Sequence, residues 1–250
     1  METKLSSLTQ EVVIGYAHPT VLIGERINPA GKKKLAAAIK TGDLELIRQE
    51  AIAQVASGAN VIDINVSVTG VDEAAVLPLV VALVASAVEV PICIDTHNPK
   101  ALISALEIYR GKPLVNSVSG ETHSLETILP LVKKYGAAVI ALPQNDAGVP
   151  ETAAERIKIA QFIIERAMAI GIPIEDIIVD SLAMTVGAVP EAGVITLETI
   201  RGVKASIGAN QTLGASNISF GMPDRHLLND AFLATAITAG VTCPIVDAAK

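Results

Sequence analysis

The polar residues that could do chemistry in this chain come in short clusters, each at the end of an apolar run. They are Gly24-Glu25-Arg26-Ile27-Asn28, Asp63-Ile64-Asn65, Asp95-Thr96-His97-Asn98, Asn116-Ser117, Gln144-Asn145-Asp146, Asp180-Ser181, Ser216-Asn217 and Asp247. Asp63, Asp95 and Asp180 each follow two or three apolar residues directly. A charge there is costly unless a partner waits for it. A helix N-cap accounts for any one such Asp or Asn, but poorly for a series repeated at the same point of a recurring unit. A ring of acids and amides suits a flat ligand rich in hydrogen-bond donors.

The groups that are missing narrow the chemistry. No lysine falls inside an apolar run, which disfavours a Schiff-base enzyme. His18, His97, His123 and His226 show no metal-ligand spacing, so no metal site is assigned. Mg²⁺ held by Asp63 and Asp95 stays open as an alternative. There is no Walker or G-x-S-x-G motif. Asp95-Thr96-His97 superficially matches a D-x-H-x-x-G corrinoid-ligating motif, but Lys100 stands where its glycine belongs. Lys32–Lys34 reads as a solvated helix start, with an anion contact as the alternative.

The elements that must position these clusters alternate between two periods. Strands are expected at Val21–Ile27, Asn60–Val66, Pro91–Thr96, Pro113–Ser117, Ala138–Leu142, Asp176–Asp180, Thr212–Asn217 and Cys243–Asp247. Most are continuous apolar runs, as parallel strands covered on both faces should be. Helices are expected near Asp43–Ser57, Glu73–Val88, Pro99–Tyr109, Ser124–Tyr135, Thr152–Ile170, Thr196–Ser206 and Arg225–Ala239, with Thr152 and Thr196 as N-caps. Gly58, Gly136, Gly171 and Gly240 fall where helices should stop. Eight strands alternating with helices give a (β/α)8 TIM barrel, whose chemistry gathers at the C-terminal ends of the strands. A doubly wound sheet is disfavoured because no G-x-G-x-x-G follows the first strand. The expectation is one domain over 1–250, with 1–20 as an N-terminal extension forming a hairpin or cap. The eighth helix is apparently absent.

Composition sets further bounds. The 250 residues carry a formal charge of −7, are 50% hydrophobic and only 2% aromatic, and include no Trp. Nucleic-acid binding is disfavoured, since it needs a basic stripe and stacking rings. The most apolar run, Ala74 to Val88, contains Pro78 and is shorter than the roughly 20 residues of a membrane span. The N-terminus lacks the pattern of a secretion signal. Cys93 and Cys243 sit in apolar runs, so buried free thiols and a soluble cytoplasmic protein are expected.

The ordered clusters resemble a known family. Ile23-Gly24-Glu25-Arg26-Ile27-Asn28, Asp63-Ile64-Asn65, Ile94-Asp95-Thr96, Val115-Asn116-Ser117, Val179-Asp180 and Ser216-Asn217-Ile218-Ser219-Phe220-Gly221 followed by Arg225 are similar to motifs of pterin-binding methyltransferases. These are the methyltetrahydrofolate:corrinoid-protein methyltransferases and the folate domain of cobalamin-dependent methionine synthase. Dihydropteroate synthases share the fold, but their strand-one signature is absent here. The resemblance implies a barrel of the pterin-binding type. Its substrate would be tetrahydrofolate or 5-methyltetrahydrofolate, and its cobalamin or other corrinoid would ride on a partner protein. It also implies a homodimer.

Carried over residue by residue, Asp95, Asn116 and Asp180 would grip the pterin edge. A carboxylate accepts the paired 2-amino and N3–H donors as it accepts a guanidinium fork. Asn217 would stand near N5, flanked by Gly214 and Ser216, with Arg225 following the same loop. Asp63 and Asn65 match further rim positions. Phe220 stands where one relative carries Gln, and looks more like the methionine-synthase branch. In methyl transfer the C–N5 bond breaks and its electron pair stays on nitrogen, so the leaving nitrogen must be protonated or strongly hydrogen-bonded. Asn217 would accept from N5–H more strongly in the transition state than before it. Two other readings remain: a Mg-dependent barrel lyase or isomerase built on Asp63 and Asp95, and a non-catalytic folate-binding protein.

Overall fold

The computed structural model describes residues 1–249. Among these residues ten strands and eight α-helices follow one another. A hairpin, β1 (Glu2–Ser6) and β2 (Glu11–Gly15), comes first. The barrel strands are β3 (Ile23–Ile27), β4 (Val61–Ile64), β5 (Ile92–Asp95), β6 (Leu114–Ser119), β7 (Ala138–Leu142), β8 (Ile177–Asp180), β9 (Asn210–Thr212) and β10 (Ile245–Val246). They form one parallel sheet in the order β10-β3-β4-β5-β6-β7-β8-β9. A parallel bridge between Gly214 and Ile245 joins its two ends. The barrel expected from the alternating periods is therefore the fold.

The helices are α1 (Lys33–Thr41), α2 (Glu45–Ala56), α3 (Glu73–Ala87), α4 (Pro99–Ile108), α5 (Thr122–Tyr135), α6 (Ala153–Ala169), α7 (Ala192–Ser206) and α8 (Arg225–Ala239). The lysine run opens α1, as its reading as a helix start implies, although no helix range was expected between it and Asp43. Both α1 and α2 lie in the β3–β4 crossover, so the eighth helix is not one that follows β10. Thr196 is no N-cap. Helix α7 begins four residues earlier, and the buried Thr196 hydroxyl donates to Ala192 O and Leu182 O at 2.9 and 3.0 Å.

Two apolar layers result from the period-2 alternation of each strand. Outward residues such as Ile62, Ile64, Ile92, Ile94, Val139 and Val179 pack against the helices. Inward residues form a separate cluster that includes Ile23, Val61, Cys93, Leu114, Ile140, Ile178 and Ile245. Leu5, Val12 and Ile14 of the hairpin belong to that inner cluster. Ser6 bridges Lys112 just before β6, and Asn210 Nδ2 donates to Thr3 Oγ1 and Ile14 O. These partners lie at strand beginnings, so residues 1–15 plug the N-terminal mouth and leave the C-terminal mouth free for chemistry. Both cysteines are buried free thiols. Among the described residues no helix is long and apolar enough to cross a membrane.

One strand lies elsewhere than expected. The seventh barrel strand is Asn210–Thr212, and the segment expected as strand, through Asn217, turns into a 3-10 helix at Ala215–Ser219. Asn210, Gln211 and Thr212 are polar yet fully buried. Distant partners satisfy most of their polar groups, though Asn210 Oδ1 accepts no hydrogen bond from the described residues. Gln211 accepts from Ser181 Oγ at 2.8 Å and donates to Ile200 O at 3.0 Å, and Thr212 Oγ1 donates to Cys243 O at 2.6 Å. No local pattern marks such a strand as buried.

Candidate functional site

The inner rows of the barrel build the site. On six strands an inward apolar residue is followed, two positions later, by a polar one: Ile23 and Glu25, Val61 and Asp63, Cys93 and Asp95, Leu114 and Asn116, Ile178 and Asp180, Ile245 and Asp247. Strand periodicity puts the second of each pair on the same inner face, one layer nearer the C-terminal mouth. The clusters spread along the chain thus become one ring.

Three of these residues, Asp63, Asp95 and Asn116, interlock with Asn65. Asp95 and Asn116 are register partners on β5 and β6. Asn116 Nδ2 donates to Asp63 Oδ1 at 3.2 Å, and Asn65 Nδ2 donates to Asp95 Oδ2 at 3.0 Å. Asp180, on β8, accepts from Leu182 N at 2.8 Å through Oδ1. Asp95 Oδ1, the Asn116 side-chain oxygen and Asp180 Oδ2 accept no hydrogen bond from the described residues. Three acceptors are left for a ligand that brings donors.

Burial governs the electrostatics. Asp63, only 3% exposed, is pushed up to about 8 by desolvation and then by the neighbouring Asp95 charge, against the bond from Asn116. Asp95 is also raised by burial, which the bond from Asn65 opposes. Asp180 is raised to about 6 by burial, against the Leu182 amide and the charge of Arg156. At neutral pH the Asp63–Asp95 pair therefore holds a proton, while Asp180 is mostly a carboxylate.

Ser216 and Asn217 stand on the 3-10 turn beside this cluster. Ser216 Oγ donates to Glu25 at 3.1 Å, and Glu25 is itself raised by burial. Arg225, at the start of α8, donates from Nη2 to Ser216 O at 2.9 Å and from Nε to Ser219 Oγ at 3.1 Å. It braces the turn, with its guanidinium 5.6 Å from the Phe220 ring centre. Asn217 is exposed, and its carboxamide bonds to none of the described residues. It lies over Gly214, where any side chain would meet it. A cavity of about 360 Å³ adjoins the turn, lined by Glu25, Arg26, Lys32, Ser216, Arg225 and Asp247 among others.

Glu25, Arg26 and Asp247 belong to the polar clusters expected at strand ends, and Lys32 to the run read as a helix start or anion contact, but none of them was assigned a role in the site. Arg26 pairs with Glu50 and with Asp247, at 3.4 and 3.3 Å, and Lys32 Nζ donates to Arg26 O at 2.9 Å. The idea that every strand supplies a polar group to the rim is corrected at β7. There Asn145 folds back to accept from Ala147 N, and Asp146 accepts from Thr122. Asn98 likewise caps α4, and Asn28 accepts from Ala30 N. Among the described residues no three His, Cys, Asp or Glu side chains are grouped to hold a metal ion.

The family model for the pterin binding enzymes matches residues 24–247. The methylcorrinoid:tetrahydrofolate methyltransferase of Eubacterium limosum is 30% identical over 233 residues, covering 91% of this chain and 84% of that protein. The methionine synthase of Mycobacterium tuberculosis is 31% identical over 262 residues, covering 100% of this chain but 22% of that much longer protein. Among solved structures, Yersinia pestis dihydropteroate synthase with a pterine-sulfa conjugate superposes with a TM-score of 0.72 at 18% identity, covering 100% of this chain and 94% of that one. Xanthomonas albilineans dihydropteroate synthase gives a TM-score of 0.74 at 17% identity, with coverage of 100% and 94%. At such identities these structures establish a common fold.

Proposed function

This chain belongs to the pterin binding enzyme family, and from that membership we propose that it moves a methyl group between N5 of tetrahydrofolate and the cobalt of a corrinoid carried by a partner protein. Either direction uses the same groups. The observation that carries the proposal is the set of acceptors without protein donors at Asp95, Asn116 and Asp180, beside an exposed carboxamide at Asn217. A pterin edge brings the 2-amino and N3–H donors that these acceptors need. Likeness to a methylcorrinoid:tetrahydrofolate methyltransferase over most of both chains favours methyl transfer over the dihydropteroate synthase reaction.

In this reading Asp95, Asn116 and Asp180 bind and orient the pterin. Asp63 and Asn65 hold Asn116 and Asp95 in place through the bonds described above. Gly214 leaves room for Asn217, while Ser216 and Arg225 fix the turn that carries it. Asn217 accepts from protonated N5 as the C–N bond weakens, an interaction stronger at the transition state than in the bound substrate. The corrinoid, when its carrier docks, supplies the nucleophilic cobalt. We extend the proposal to a cytoplasmic homodimer, which light scattering of the purified protein tests.

The decisive assay mixes the protein with 5-methyltetrahydrofolate and free cob(I)alamin and follows the cobalt absorbance. Conversion to methylcobalamin that depends on the protein supports the proposal. Tight folate binding without methyl exchange, using either free cobalamin or a corrinoid protein, would leave only a binding function.

A further inference from the structure

Arg156 projects from α6 and is 2% exposed, yet among the described residues no acid forms an ion pair with it. Its hydrogen bonds all go to backbone carbonyls. Nε donates to Pro150 O at 3.1 Å, and Nη1 to Leu182 O at 2.8 Å and Ser181 O at 3.4 Å. Burying a guanidinium is expensive unless its donors are satisfied and a countercharge lies near. The carboxylate that acts on it is that of Asp180.

Two of the carbonyls it holds, those of Ser181 and Leu182, belong to the turn that sets Asp180. Leu182 adopts φ of +53°, a backbone region that a leucine rarely occupies. Its N–H is the donor to Asp180 Oδ1. The Leu182 carbonyl is gripped from two helices, by Arg156 of α6 and by Thr196 of α7. Arg156 thus ties the β7–α6 loop at Pro150 to the end of β8 and places a positive charge behind a buried acid.

Resting on the pterin-binding reading above, we propose that Arg156 is a positioning residue for substrate: it locks the Asp180–Leu182 turn and keeps Asp180 ionised so that it can accept from the pterin. The protonated acid would lose an acceptor and present a donor to a donor. Among the described residues, the titratable group besides Arg156 that feels Asp180 is the buried Cys243 thiol, which burial pushes up to about 12, so it is uncharged at neutral pH. Asp180 and Arg156 together therefore set part of the acid limb of folate binding, beside Asp95, the other buried acid of the grip.

The test measures 5-methyltetrahydrofolate affinity of the full chain between pH 5 and pH 8 by calorimetry. Wild type should weaken as pH falls through about 6. In Arg156→Met that limb should move upward by about one pH unit, the least expected from removing an adjacent opposite charge. In Arg156→Lys, which keeps charge but loses the fork, the limb should stay put while affinity falls about tenfold. A folded Arg156→Met with wild-type affinity and an unmoved limb overturns the proposal. If Arg156→Met does not fold, Arg156→Lys decides, and wild-type affinity for that variant overturns it equally. Asp180→Asn separates the two levels of inference. Unchanged affinity there would remove Asp180 from the pterin site and sink the binding reading itself, whatever Arg156 does.

Discussion

The carboxamide of Asn217 rests against Gly214: a Cβ added at that glycine would lie 2.9 Å from Nδ2 and 3.4 Å from Cγ. Gly214 has φ of −75°, so alanine there is unstrained in its backbone, and the conflict is with the amide alone. Gly214→Ala should therefore displace Asn217 and leave the barrel intact. Turnover in the cob(I)alamin assay is expected to fall by roughly a hundredfold, as misplacing a catalytic group by about 1 Å does. Folate affinity should change little. Normal turnover in this variant would mean that the position of Asn217 is immaterial.

Removing the amide altogether should act the same way. Asn217→Ala is expected to lower turnover by about a hundredfold or more, the usual loss for a group that stabilises charge in the transition state. Substrate dissociation constants should move much less, because the pterin is held by Asp95, Asn116 and Asp180. Loss of folate binding with normal turnover of the bound fraction would reassign Asn217 to the grip.

The buried acids make apo stability fall as pH rises. Asp63 titrates at about 8 in the folded chain, against about 3.9 for a free aspartate. Below the unfolded value both states bind the proton and nothing is lost. Between the two values only the folded state keeps it, so stability drops until pH passes the folded value. Asp63→Asn retains an acceptor for Asn116 and carries no such slope. Its stability advantage over wild type should grow from pH 4 to pH 8, reaching on the order of a few kcal/mol. Parallel urea titrations at several pH values check this, and a constant difference would contradict it.

Plug and site should be separable. Leu5 and Ile14 are fully buried in the inner cluster at the opposite end of the barrel from Asn217. Leu5→Ala is expected to cost about 2–5 kcal/mol in urea unfolding, the range for a large-to-small core change. Folded Leu5→Ala should still show wild-type turnover at low temperature. A specific loss of turnover would mean that the hairpin reaches the chemistry.

Much of this was legible before any coordinates. Continuous apolar runs such as Ala138–Leu142 gave the parallel strands, because a strand covered on both faces needs no polar alternation. Asp63, Asp95, Asn116 and Asp180 could be picked out because a charged or amide group directly after buried aliphatics is costly without a purpose. β9 escaped because Asn210, Gln211 and Thr212 look exposed to any local rule. Asn145 and Asn98 misled for the opposite reason: the same residue types serve turns and caps as readily as ligands.

By itself the sequence determined the repeating strand–helix unit, the barrel and the order of the acids and amides, since each follows from hydrophobic period and local conformational preference. Only the tertiary structure decided which of them face one another. It joined Asn116 to Asp63 and Asn65 to Asp95, put Arg156 behind Asp180, and separated Glu25 at the mouth from Asn28 in a turn. These are contacts between residues far apart in the chain, and strand register and barrel closure, not neighbouring residues, fix which groups meet and how deeply each is buried.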